Sequence, residues 1–333
     1  MSNATAAMSS PDSTTAGKSP SFLILAMLTV GVCGNLLALF VLSRIRNNLD
    51  RRHKFLLRCL ATNDCVAVAG MLAATIVRTA WPQTVNNVWT CRQIVLWRFF
   101  GLGSGCVAVL MAVERWLAIT RPFFYQKYIT ESILKRITIV LWLTVLCLVC
   151  APFFGFGIYW NDNLKKCSRI RDAKESLDVI YAYVFFSFGV VLCIVITCSN
   201  LDVIIALCTK ERNNHINLNK VNADTSSGAL VRNVDRNNEE RLFSWLMLFL
   251  CVSFVVCWLP QLLSIPLAQF FQNAAKLNVF YKIADLLLVL HFSLDPYLYV
   301  LQQWKLVRST LTWSKYTRNN TVSDSSVTRA SLV

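Results

Sequence analysis

The chain has 333 residues, 55% of them hydrophobic and only 15% charged, with a formal net charge of +15. An ordinary soluble domain carries about 25% charged residues, so this composition excludes one. The basic excess does not indicate a nucleic-acid binder. It is gathered beside apolar blocks, where it would meet anionic inner-leaflet lipid, and no basic helix or zinc pattern accompanies it.

Taking about 20 apolar residues as one bilayer crossing, seven blocks qualify: roughly Ser21–Ser43, Phe55–Val77, Gln93–Ile119, Ile137–Gly157, Val179–Leu207, Leu242–Ala268 and Val279–Leu301. Lipid offers no water to the backbone, so each block is expected to be a helix in an all-α seven-helix bundle. Lys and Arg collect after the first block (Arg44, Arg46, Arg51, Arg52, Lys54), the third (Arg121, Lys127, Lys135, Arg136), the fifth (Lys210, Arg212, Lys220) and the seventh (Lys305, Arg308, Lys315). The positive-inside rule makes those ends cytoplasmic and the N-terminus extracellular.

Residues 1–20 are rich in Ser, Thr and Ala without a separate apolar signal region, so the first helix is expected to act as an uncleaved signal anchor. Asn3-Ala4-Thr5 is a glycosylation sequon on the outer face. The first helix carries Asn35 and the second Asp64; Arg78 follows the second. Cys91, just outside the third helix, and Cys167, after the fourth, share the oxidising face, and a disulfide between them would pin the outer loop over the bundle mouth. Most of the other cysteines are small packing residues. Arg98 lies about two turns inward from Cys91, Ser104 lies deeper, and Glu114-Arg115-Trp116 closes the third apolar run. An ionisable pair where a hydrophobic helix leaves the bilayer marks a functional site.

Thr209 to Arg241 is polar and Asn-rich and reads as a mobile loop. Glu239 and Glu240 then begin the sixth helix on the same side as Arg115, so an Arg115–Glu240 bridge would hold the third and sixth helices together. Pro260, within Cys257-Trp258-Leu259-Pro260, kinks the sixth helix, and the Trp258 indole beside it has two plausible packings. The seventh helix carries Asp285, Leu286 and Asp295-Pro296-Tyr297-Leu298-Tyr299. Asn35, Asp64, Ser104 and Asp295 would jointly hold a water cluster or a sodium ion; alternatively the two acids are neutral and hydrogen-bonded between helices. Trp304, Val307 and Leu311 space an amphipathic helix over 302–315, ahead of a cytoplasmic tail at 316–333.

Other membrane functions lack their signals. There are no paired broken helices for a transporter and no charged rings or filter repeats for a channel. His53, His215 and His291 are scattered without ligand spacing, which speaks against a metal-dependent enzyme.

Gly34-Asn35, Leu60-Ala61-x-x-Asp64, Glu114-Arg115-Trp116, Cys257-Trp258-x-Pro260 and Asp295-Pro296-x-x-Tyr299, in order on seven helices, resemble the rhodopsin-like G-protein-coupled receptors. Within that family the chain is most similar to the prostanoid receptors at Glu114 to Phe123, Cys198-Ser199-Asn200-Leu201, Ile205-Ala206-Leu207, Cys251 to Pro260 and Leu294-Asp295-Pro296. The fifth helix lacks a proline, as prostanoid receptors do, and Pro152-x-x-Gly155-x-Gly157 ending the fourth fits too. The resemblance implies a plasma-membrane receptor, not an enzyme. It would pass an extracellular agonist, a prostaglandin-like lipid, to a heterotrimeric G protein and thence to cAMP or calcium. Glu114, Arg115, Trp258, Pro260, Asp295, Pro296 and Tyr299 would form its switch.

Three positions depart from the prostanoid pattern. Leu286 replaces the seventh-helix arginine that takes the ligand carboxylate, Lys165-Lys166-Cys167 stands for Gly-x-Trp-Cys, and Tyr297 for Trp. A peptide agonist is therefore a second expectation. Arg98 and Arg78 are substitute anchors for an anion, with Asp285 as the internal alternative partner of Arg98. Thr317, Thr321, Ser323, Ser325, Ser326 and Thr328 offer phosphorylation sites for arrestin, and Ser331-Leu332-Val333 a strand for a PDZ domain.

Overall fold

Seven helices with candidate membrane spans of 21 to 34 residues, long and apolar enough to cross a bilayer, dominate the computed structural model. It describes residues 19–44, 51–81, 87–163, 165–220, 227–271 and 277–297, with backbone alone at 19–21, 44, 210–220, 227–243, 246 and 247. In chain order these are α1 (Ser19–Arg44), α2 (Arg51–Ala80), α3 (Val88–Thr120), the short α4 (Pro122–Tyr128), α5 (Glu131–Cys150), α6 (Ser176–Lys220) and α7 (Ser227–Phe270), then α8 (Leu277–Tyr297). The crossings are all of these except α4.

Several helices outrun their apolar blocks because side chains at their ends reach water. Arg51 to Lys54 open α2, and Glu131, Lys135 and Arg136 open α5. The largest difference is at Thr209 to Arg241, expected as a loop: α6 continues to Lys220 and α7 starts at Ser227. Lys210 to Lys220 holds no Gly or Pro to stop a helix, and polarity alone does not end one. The side chain of Asn87 caps α3 by accepting from the Thr90 amide (2.8 Å), Thr130 caps α5 through the Ile133 amide (3.3 Å), and Pro122 takes the first position of α4. The fourth crossing ends in a tight turn, Ala151–Phe154, closed by Gly155 in the left-handed region (φ 84°).

Helix α3 is the axle of the bundle, packed against α2, α5, α6 and α7. Its Leu102, Val107 and Met111 are buried, whereas Val140 and Leu143 of α5 and Val252 and Val256 of α7 are exposed, giving the bundle the apolar outer wall that lipid requires. Cys91 and Cys167 form the expected disulfide, with Cα atoms 5.3 Å apart. Cys91 sits inside the first turn of α3, not outside the helix, because Asn87 caps it four residues earlier. The outer loop is a small hairpin of β1 (Trp160–Asn161) and β2 (Lys166–Cys167), with Trp160 opposite Cys167. Gln269 of α7 fastens it further, its amide donating to the carbonyls of Ala173 (2.9 Å) and Arg171 (3.3 Å).

Asn3, Tyr299, the 302–315 segment, the tail phosphorylation sites and Ser331-Leu332-Val333 lie outside the described residues.

Candidate functional site

The chemistry falls on three levels of the bundle. At the cytoplasmic end Glu114 and Arg115 are buried at 2% and 7% exposure. The Glu114 carboxylate accepts from Arg115 Nε (2.9 Å) and Nη2 (3.3 Å) and from the Tyr125 hydroxyl, and His53 Nε2 lies 2.9 Å away. One carboxylate thereby ties α3 to α2 and α4. The Arg52 guanidinium covers the Tyr125 ring at 4.2 Å and donates to the Ile129 carbonyl. Burial, then the adjacent Glu114 carboxylate, raises the Tyr125 phenol above its ordinary pKa, so it stays a donor at neutral pH. Trp116 donates its indole N–H to Asp202 of α6 (3.0 Å). Glu240, the expected partner of Arg115, has its side chain outside the described residues.

At mid-depth Asp64 accepts from the Ser104 hydroxyl (3.0 Å) and more distantly from Asn63 (3.4 Å). Asp295 lies 3.4 Å from His291 Nδ1 and accepts from Ser253 of α7 (3.4 Å). Asp64, His291 and Asp295 are close enough for their charges to interact. Asn35 fastens α1 to α8, its amide nitrogen donating to the carbonyls of Gly31 and Phe292, both at 3.0 Å. His291 lies edge-on to Phe254 (5.4 Å), which stacks on Trp258 (5.3 Å). The two aromatic rings rest on bare backbone. A Cβ at Gly101 would come within 2.5 Å of Trp258, and one at Gly105 within 2.7 Å of Phe254.

The outer level lies one turn above that contact. Helix α3 runs inward and α7 outward, so Arg98, three residues before Gly101, and Gln261, three after Trp258, stand at the same depth. Arg98 Nη1, Gln261 Oε1 and Trp258 Nε1 are all shut off from solvent without a hydrogen-bond partner. The charge of Arg98 lies near the Tyr181 phenol of α6. Its expected acid, Asp285, is taken elsewhere: Arg169 Nη1 binds it at 2.6 Å and Arg171 Nη2 approaches to 3.8 Å, with the Arg171 guanidinium over the Tyr281 ring at 4.1 Å. Burial, then the neighbouring Arg169, lowers the Arg171 pKa, opposed chiefly by Asp285. Both arginines come from the disulfide-pinned loop, which presents them to Asp285 of α8. Arg78 is exposed near the end of α2, and Leu286 is 38% exposed.

Sequence reasoning missed His53, Gln261 and His291. For His291 there was a signal: it precedes Asp295 by four residues and so shares its helix face. Grouping the histidines only by metal-ligand spacing hid it.

Residues 34–299 match the family described as the 7 transmembrane receptor (rhodopsin family). The human prostaglandin E2 receptor EP3 subtype is 27% identical over 331 residues, covering 91% of this chain and 82% of its own. The bovine prostaglandin E2 receptor EP4 subtype is 26% identical over 201 residues, 55% of this chain and 39% of that one. The crystal structure of squid rhodopsin superposes with a TM-score of 0.69 at 16% identity, over 88% of this chain and 85% of that one. The family match runs from α1 to the end of the seventh crossing, and the protein belongs to the rhodopsin family of seven-transmembrane receptors.

Proposed function

We propose that this multi-pass plasma-membrane receptor takes a carboxylate-bearing lipid of the prostaglandin type, with Arg98 as the anion anchor, and signals to a heterotrimeric G protein. One observation carries the ligand assignment. The loop arginines occupy Asp285, so Arg98 keeps a solvent-free guanidinium nitrogen without an acid. A charge in that position calls for an anionic partner. The names of the EP3 and EP4 relatives support prostaglandin E2 as the first compound to try. The basic inner loops support an extracellular N-terminus, with Asn3 available for glycosylation. The Ser/Thr-rich tail suits arrestin after phosphorylation, and Ser331-Leu332-Val333 suits a PDZ domain. A peptide agonist is the second reading, favoured by Leu286 standing where the relatives' arginine is expected.

The test is a cAMP and calcium reporter screen in cells displaying the receptor, challenged with prostaglandins and then with peptides. A response to prostaglandin E2 supports the lipid reading; a response to peptides alone overturns it.

The cytoplasmic cluster makes a separate prediction. Glu114→Gln removes the carboxylate that holds Arg115, Tyr125 and His53 in one arrangement, and each 1.4 kcal/mol or so of lost bias shifts a two-state equilibrium about tenfold. Basal signalling is expected to rise several-fold without agonist. An unchanged basal signal at equal surface density contradicts this role.

A further inference from the structure

Buried polar atoms in folded proteins nearly always have a hydrogen-bond partner, so an unpaired donor and an unpaired acceptor side by side call for one. Gln261 Oε1 and Trp258 Nε1 are such a pair. Each is shut off from solvent, and among the described residues neither is hydrogen-bonded, to the other or to anything else. Three residues apart on α7, the two side chains are neighbours on one face of the helix. The contacts of that face show where it points. Trp258 packs over Gly101 of α3, Leu262 over Gly189 of α6, and Phe254 meets His291 of α8. At about 100° per residue, Leu262 turns about 40° to the α6 side of Trp258, whereas Phe254 and Gln261 turn about 40° and 60° to the α8 side. Gln261 is therefore directed into the bundle between α3 and α8, not toward lipid.

The chemistry of the two atoms says what fits them. Gln261 Oε1 only accepts and Trp258 Nε1 only donates. A carboxylate, ether or keto oxygen serves Trp258 and leaves Gln261 unpaired, and an ammonium does the reverse. A hydroxyl serves both through one oxygen, giving its proton to Oε1 while a lone pair takes the indole N–H. The third unpaired atom at this depth, Arg98 Nη1, stands on the other flank, because Arg98 lies by Tyr181 of α6. An acid and a hydroxyl of one molecule would thus be held side by side over the Trp258 ring, the acid toward α6 and the hydroxyl toward α8.

We propose that Gln261 reads a hydroxyl on the agonist, with Trp258 Nε1 donating to the same oxygen, so that the receptor selects a hydroxylated acid over an acid lacking that group. The inference rests on the lipid reading for the acid and adds to it the residue that sets selectivity. It also has a consequence for the protein alone. Without such a partner the buried carboxamide oxygen lowers stability, because its lost hydration goes uncompensated. A leucine of similar size carries no such cost.

Two measurements on the full-length receptor test this. In thermal unfolding of the purified, ligand-free protein, Gln261→Leu is expected to raise Tm by roughly 2–4 °C. An unchanged or lower Tm overturns the proposal, since the carboxamide is then satisfied within the protein or by a structural water. In competition binding, prostaglandin E2 is compared with the two analogues that lack its ring hydroxyl or its side-chain hydroxyl. Removing one of these is expected to cost the wild type roughly 10- to 100-fold in affinity. That cost should shrink to within about threefold in Gln261→Leu and persist in Arg98→Gln, which alters only the acid's anchor. A cost as large in Gln261→Leu as in the wild type, or none in the wild type, overturns the proposal. Prostaglandin E2 that does not bind the wild type at all refutes the lipid assignment alone, and the sign of the Tm change then decides for Gln261.

Discussion

Replacing Arg98 with Gln is expected to weaken prostaglandin E2 binding by roughly 100-fold, about 3 kcal/mol, at unchanged surface expression. The size follows from where the guanidinium sits. It lies a turn above the contact between Trp258 and Gly101, with Nη1 closed off from water. A carboxylate brought there loses its hydration and regains that energy only from a charged donor. Gln keeps part of the length and a neutral N–H, so the receptor still folds and its pocket keeps much of its shape. Saturation binding with radiolabelled prostaglandin E2 reads the effect. Affinity within about threefold of wild type would place the anchor elsewhere. The companion substitution, Asp285→Asn, frees Arg169 and Arg171 at the mouth and leaves Arg98 untouched. Its effect should fall mainly on association rate and salt dependence, since it alters charge at the rim.

Breaking the disulfide by Cys91→Ser is expected to destabilise the receptor by about 2–4 kcal/mol, lowering Tm on the order of 5–10 °C. The bond closes a span of 76 residues from the head of α3 to β2. It also decides which charges meet. The pinned hairpin carries Arg169 and Arg171 to Asp285 and sets the Ala173 carbonyl against Gln269. Once the loop is free, the Arg169–Asp285 pairing that holds it over the bundle mouth is lost, so agonist affinity should fall together with stability. Cys167→Ser should match Cys91→Ser, and the double substitution should add little to either, because all three remove the same bond. Additive losses would mean that the cysteines act separately.

The seven crossings and the family motifs were legible in the sequence because their signals are local. Apolar blocks fixed the crossings, Lys and Arg fixed their expected sidedness, and Glu114-Arg115, Trp258-x-Pro260 and Asp295-Pro296 are contiguous motifs on single helices. The ligand level was less legible because its partners are chosen in three dimensions. Arg98 and Asp285 are both charges toward the outer end of the bundle, and no periodicity says that a disulfide-held loop delivers two arginines to the aspartate. Asn35 shows the same limit: no motif says that its amide nitrogen serves the Phe292 carbonyl of α8. The extent of α6 and α7 beyond the bilayer was missed because hydropathy locates lipid, not helix ends.

The account rests most heavily on Arg98 reading a carboxylate. The direct measurement compares the affinity of prostaglandin E2 with that of its C1 amide, in the wild type and in Arg98→Gln, on receptors matched for surface density. The prediction is that the wild type prefers the acid by roughly 100-fold and that the preference collapses to near unity in the variant. A preference for the acid that survives intact in Arg98→Gln would contradict it.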